Sequence, residues 1–145
     1  MKNSLMIISC CLLLVACQNS TKTTNNESSI HPYIKGVVKK QGNIVPHVQV
    51  TLSSNICNNA TVVTDAQGKF TLEQFCEVTD SGPGNILGAP TYLFDVNIVD
   101  GEKSFTWSVI NPFDITVEFD LTEQMVCVTN GEESRCSNLV KNDIH

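Results

Sequence analysis

From Tyr33 onward the chain alternates apolar and polar residues in short runs, each cut off by residues that turn a backbone. Tyr33-Ile34-Lys35-Gly36-Val37-Val38 predicts a first strand, closed by a turn around Gln41-Gly42-Asn43. In His47-Val48-Gln49-Val50-Thr51-Leu52, the residues Val48, Val50 and Leu52 share one face, as a half-buried strand requires when successive side chains point to opposite sides. Thr61-Val62-Val63-Thr64 and Lys69-Phe70-Thr71-Leu72 predict two more strands. They flank Asp65-Ala66-Gln67-Gly68, a compact turn in which Gly68 is free to take positive φ.

The stretch Asp80-Ser81-Gly82-Pro83-Gly84-Asn85 holds too many breakers for a regular element. Beyond it Phe94, Val96 and Ile98 alternate with Asp95 and Asn97, and Asp100-Gly101 marks a hairpin. The return strand puts Phe105, Trp107 and Val109 on one face, where Trp107 is expected in the core or its rim. Ile115, Val117, Phe119 and Leu121 alternate with Thr116, Glu118 and Asp120. Met125-Val126-Cys127-Val128 and a short segment near Cys136 then close around Asn130-Gly131. No segment sustains a helical period. About seven to eight short strands at this spacing predict an all-β fold, an antiparallel β-sandwich.

The first residues follow a different grammar. Met1-Lys2-Asn3 gives a charged start, and an apolar run through Leu12-Leu13-Leu14-Val15-Ala16 follows before the composition switches to Gln18-Asn19-Ser20-Thr21-Lys22. That order is the order of a signal peptide. The run falls short of the roughly 20 apolar residues that a membrane-crossing helix needs. Residues 18 to about 30 are nearly all polar and lack the apolar surface to offset the entropy of ordering them, so a flexible tether is expected there.

Leu14-Val15-Ala16-Cys17 resembles the bacterial lipobox: a branched apolar residue, a small or apolar one, a small one, then cysteine. The resemblance implies that the Cys17 thiol takes a diacylglyceryl group, that the chain is cut before it, and that the new amine is acylated, with palmitate for example. A thiolate is a good nucleophile for such a transfer. Several acyl chains together anchor firmly where one binds only marginally. Gln18 stands where an aspartate, in many Gram-negative bacteria, favours retention at the inner membrane. The implied location is therefore the cell envelope, at the outer membrane, facing the periplasm or the cell surface. The expected organisation is a lipoprotein signal peptide over 1–16, a lipidated N-terminus and polar linker over 17–30, and the sandwich over 31–145.

Within the sandwich, Gly36 to Leu72 resembles the carboxypeptidase regulatory-like domains, small sandwiches of transthyretin-like fold. The matching residues are Gly36-Val37-Val38, Gly42, Val45, Val48 and Val50, then Thr64-Asp65-Ala66-Gln67-Gly68-Lys69-Phe70, close to the family's Thr-Asp-x-x-Gly-x-Phe signature. Two positions depart: Ile44 where the family usually has proline, and His47 where it has glycine. The resemblance implies an accessory, structural or binding unit whose signature residues shape turns and core.

Bulk composition adds exclusions. At 145 residues, with 41% hydrophobic and 17% charged residues, the chain has room for one globular domain near the size where cross-links help. A formal net charge of −6 argues against nucleic acid as a partner, since phosphate contacts need clustered Lys and Arg. Of seven cysteines, Cys10 and Cys11 fall in the signal and Cys17 in the lipobox, leaving Cys57, Cys76, Cys127 and Cys136. An even count in an exported domain favours two disulfides, and local pairing, Cys57 with Cys76 and Cys127 with Cys136, is the simplest of three connectivities. A zinc site is the rival, but no Cys-x-x-Cys pair occurs among these four thiols.

Candidate chemistry is sparse. His31, His47 and His145 are scattered, and no hydrolase elbow, phosphate loop or His-Glu-x-x-His is present. Asp95, Asp114, Glu118 and Asp120 are acids that catalysis or calcium would use, but they fall at outward strand positions where a solvated face is expected. No catalytic, metal or cofactor residue is therefore assigned, and no enzyme is expected. The expected function is a non-catalytic, membrane-anchored envelope lipoprotein that contacts a protein or glycan through loops or an edge strand. The Ser53–Ala60 and Asp80–Pro90 loops are the nearest candidates. An accessory lipoprotein of a secretion apparatus, like the type VI outer-membrane lipoprotein, and a carbohydrate-binding module are the alternatives.

Overall fold

The structure, a computed structural model, describes residues 28–78, 85–86, 89–131 and 133–143. Strands β1 (Ser28–Ile30), β2 (Tyr33–Lys40), β3 (Asn43–Ile44) and β4 (Gln49–Ser53) come first, then β5 (Ala60–Val63), β6 (Lys69–Glu73) and β7 (Cys76–Val78). The two-residue strands β8 (Asn85–Ile86) and β9 (Ala89–Pro90) pair with each other. The second half supplies β10 (Leu93–Asp100), β11 (Lys103–Ile110), β12 (Ile115–Asp120), β13 (Met125–Asn130), β14 (Glu133–Asn138) and β15 (Val140–Asp143).

Two sheets face each other. The first runs β15-β11-β10-β4-β5; the second runs β14-β13-β12-β2-β3, with β6 also paired to β2. The fold is an all-β sandwich, as the alternation predicts, and there is no helix among the described residues. Three differences from the sequence reading stand out. The pairing of β2 with β12 is parallel, in register from Ile34 opposite Ile115 to Lys39 opposite Asp120, while every other pair among the described residues is antiparallel. Strand β1 lies inside the stretch expected to be linker: Ser28–Ile30 pairs with Val78–Cys76 and so gains a ladder that composition does not encode. The final strand, β15, has little alternation of its own and owes its conformation to the edge of β11.

The core forms where the inward positions of both sheets meet. Ile34, Val38, Leu72, Val117, Phe119 and Val126 of the second sheet and Val50, Leu52, Phe94, Val96 and Ile98 of the first belong to one cluster, all at most 2% exposed. Each such side chain contributes roughly 1.5–3 kcal/mol relative to exposure. Trp107 is 7% exposed and meets Phe119 edge-on at 6.0 Å, with Phe70 on that ring at 5.9 Å. It is the core aromatic its spacing predicts.

Two positions show how particular residues make this packing possible. Gly36 sits between Phe70 and Val117 in the pairing registers. A side-chain carbon there would run into the Val117 carbonyl oxygen and lie 2.7 Å from the Val117 methyl, so glycine is what lets β6 and β12 flank β2 this closely. Thr64 is buried at 1% exposure between β5 and the turn, and its Oγ1 donates to the Val45 carbonyl (2.9 Å) and accepts from the Val48 N–H (2.9 Å). One hydroxyl thus satisfies two backbone groups of the segment between β3 and β4, beside the backbone bonds that Val45 and His47 make to Val38 and Thr64. The following turn is as expected: Gly68 has φ 65°, and the Asp65 carboxylate accepts from the Gln67 and Lys69 N–H groups.

Candidate functional site

The strands run between two poles, and the chemistry of each is set by what the turns carry. At the far pole are the β2–β3, β10–β11 and β12–β13 turns, where Lys40 Nζ meets the Asp100 carboxylate at 2.6 Å and ties one sheet to the other. At the near pole β2 and β12 begin, β6 and β11 end, and the β4–β5 loop hangs. Here β7 folds across the end of the sandwich, burying Cys76 and Val78 at 3% and 5% exposure.

Both expected disulfides are present. Cys57–Cys76 joins the loop after β4 to β7, and Cys127–Cys136 joins opposed residues of β13 and β14. The four remaining thiols are thereby consumed in cross-links. Cys17 lies outside the described residues, as do His145 and most of the Asp80–Pro90 loop. The Ser53–Ala60 loop is described: Ser54 Oγ accepts from the N–H groups of Ile56 and Cys57 at 3.3 and 3.1 Å and shapes the approach to the disulfide. Beside it opens a shallow depression of about 480 Å³ lined by Asn55, Ile56, Asn58, Phe75 and Glu77.

The acids named from sequence are dispersed. Asp95 accepts from the Ser108 hydroxyl at 2.6 Å on the outer face of the first sheet. Glu118 pairs with Lys39 at 2.7 Å on the outer face of the second, and Asp114 lies 3.8 Å from Lys35 at the near pole. Asp120 accepts from the backbone of Thr122 and Glu123 and so caps a turn. Among the described residues no three His, Cys, Asp or Glu side chains come together as a metal site. His31 meets Glu73 at 3.1 Å. His47 is not in a strand but just before β4, with φ 60°, its N–H donating to the Thr64 carbonyl.

The feature that sequence reasoning missed is a set of exposed apolar side chains at the near pole. Leu93 and Ile110 are directly opposed across β10 and β11 and are each 55% exposed; Phe75 is 66% and Phe113 44% exposed. The signal was in the alternation. Leu93 precedes the inward Phe94, Val96 and Ile98 by an odd step, and Ile110 stands in the same relation to Phe105 and Trp107, so both belong to the outward, otherwise polar face. Phe113 is held by a tight loop. Asn111 and Asp114 on either side take φ 47° and 50°, the Phe113 N–H donates to the Asn111 carbonyl at 2.8 Å, and Asn111 exchanges bonds with the Tyr92 backbone. Backbone strain of this kind costs about 1–3 kcal/mol per residue and persists where the surrounding structure enforces it.

No family model and no curated protein matches the chain. Among solved structures, 3-chlorocatechol 1,2-dioxygenase from Rhodococcus opacus 1CP is similar at 13% identity with a TM-score of 0.42, over 66% of this chain and 60% of that one. Chlorocatechol 1,2-dioxygenase from Pseudomonas putida is similar at 16% identity with a TM-score of 0.37, over 59% of this chain and 45% of that one. The chain thus spans less than two thirds of either enzyme, and likenesses at these scores carry no statement about activity.

Proposed function

We propose that this chain is a lipid-anchored lipoprotein of the bacterial cell envelope, and that its sandwich is a non-catalytic binding or structural module. The observation that carries the reading is Leu14-Val15-Ala16-Cys17, placed after a charged start and an apolar run and followed at once by a polar tract. Paired cysteines in the sandwich support it, because disulfides persist in oxidising compartments and are rare in the cytosol. The carboxypeptidase regulatory-like resemblance supports the accessory role. His47 is informative here: it departs from the family's glycine, yet its φ of 60° is the conformation a glycine takes without strain. A protein or glycan partner has an edge available in β14, whose residues Glu133 to Asn138 are all exposed.

The test is incorporation of a clickable palmitate analogue in the producing cell, with fractionation alongside. The native chain takes up label and sediments with membranes. Cys17→Ser takes up none and moves to the soluble fraction or is held as uncleaved precursor. Undiminished labelling of Cys17→Ser refutes the anchor.

A further inference from the structure

We infer that the near pole is a bilayer-docking surface: Phe75, Leu93, Ile110 and Phe113 rest in the headgroup region of the membrane that carries the anchor. This rests on the lipoprotein reading and adds an orientation to it. A lipid on Cys17 alone leaves the sandwich free within reach of its tether, so the orientation comes from the body itself.

Three observations supply it. The first is chain length. Ten residues separate Cys17 from Ser28, and even fully extended they reach no more than roughly 36 Å. Ser28 begins β1, whose ladder with β7 closes the near pole, so the tether joins the sandwich at this end. The second is apolar surface. Phe75 and Phe113, the two exposed aromatics of the described chain's large hydrophobic set, both lie at this pole together with the Leu93–Ile110 pair. Aromatic and aliphatic groups that project from a rigid body are the groups that enter a membrane interface. The third is presentation. The left-handed backbone at Asn111 and Asp114 and the bonds to Tyr92 fix the loop that bears Phe113, so its ring is held out without an ordering cost on docking.

The charges at the near pole select the lipid. Among the described residues Glu73, Glu77, Asp114 and Glu133 stand at this end, with His31 beside Glu73, Lys35 beside Asp114 and Arg135 beside Glu133, so acids outnumber the Lys and Arg side chains there. Anionic headgroups are therefore disfavoured, and a zwitterionic surface such as phosphatidylethanolamine is the fitting partner. With the near pole on the membrane, the Ser53–Ala60 loop faces lipid, and the β14 edge and far pole are left for a protein or glycan.

The experiment uses the purified, lipidated full-length protein in vesicles whose acyl chains carry bromine, which quenches tryptophan on contact. Trp107 is sealed in the core and supplies a constant background. Phe113→Trp is expected to add emission that is blue-shifted and largely lost in brominated phosphatidylethanolamine vesicles, and lost to a smaller degree when phosphatidylglycerol replaces that lipid. Glu102→Trp, at the far pole, is expected to keep its emission in both. Benzophenone-alanine in place of Phe75 is expected to cross-link to lipid under light, which reads the same contact without a tryptophan. Protein that remains on the vesicles with Phe113→Trp unquenched and no lipid adduct at position 75 overturns the docking surface while leaving the anchor intact. Equal quenching at positions 102 and 113 overturns the orientation. Failure of the anchor itself is distinct: protein without palmitate label floats free of the vesicles, and both readings fall together.

Discussion

Replacing Thr64 by valine removes one oxygen and little else, because the two side chains have nearly the same volume. The hydroxyl is bonded to the Val48 N–H and the Val45 carbonyl, each at 2.9 Å. Val48 is 4% exposed, so its N–H has no water to turn to, and a stranded buried donor costs about 1–3 kcal/mol. The Val45 carbonyl belongs to a half-buried residue and recovers part of its loss from solvent, adding up to about 1 kcal/mol. The expected destabilisation is about 1–4 kcal/mol, which moves a urea midpoint down by about 0.5–2 M for a domain of this size. Thr64→Ser keeps both bonds and forfeits one methyl group, which costs about 1 kcal/mol. Urea unfolding of the disulfide-intact protein, followed by Trp107 emission, measures both variants. If Thr64→Val proves as stable as Thr64→Ser, the hydroxyl is not holding the segment before β4, and the account of that segment is wrong.

Other residues give equally direct tests. His47→Gly relieves a left-handed backbone that costs a non-glycine residue roughly 1–2 kcal/mol, so the variant is expected to be more stable by about 1 kcal/mol after glycine's greater unfolded-state entropy is counted, read by the same denaturation. Gly36→Ala drives a methyl group into Val117 and is expected to destabilise by about 1–3 kcal/mol or more; a thermal melt unchanged from the parent refutes the close-approach role. Non-reducing peptide mapping is expected to return the 57–76 and 127–136 linkages, and Cys57→Ala with Cys76→Ala is expected to cost about 3 kcal/mol from the released loop.

Sequence revealed those parts of the fold whose physics is local. Period-two alternation placed Val48, Val50 and Leu52, and Phe94, Val96 and Ile98, on the faces where they are buried, and it put Trp107 in the core. The Asp65–Gly68 turn was legible because its carboxylate and glycine act within a few residues. The disulfides were legible because local pairing joined loops that the neighbouring strands bring together. What stayed hidden depends on partners distant in the chain. Nothing in Tyr33–Lys40 says that its neighbour is β12 or that the pairing is parallel, and nothing in Ser28–Ile30 or Val140–Asp143 marks a strand before β7 and β11 are in place. The apolar near pole was hidden for another reason. Leu93 and Ile110 read as ordinary strand residues until the parity of each is compared with its buried neighbours.

The parallel seam between β2 and β12 has a consequence for the order in which the protein is made. Ile34 lies opposite Ile115, over half the chain length away. A growing polypeptide that has reached residue 110 holds β2 with one flank bare, and it has none of Val117, Phe119 or Val126 to cover Ile34 and Val38. Contacts between such remote segments are slow to form because a long loop must close before they reward it. Products cut short before β12 therefore expose a raw strand edge and a greasy face together, which marks them for aggregation or proteolysis and leaves no half-working version of the molecule.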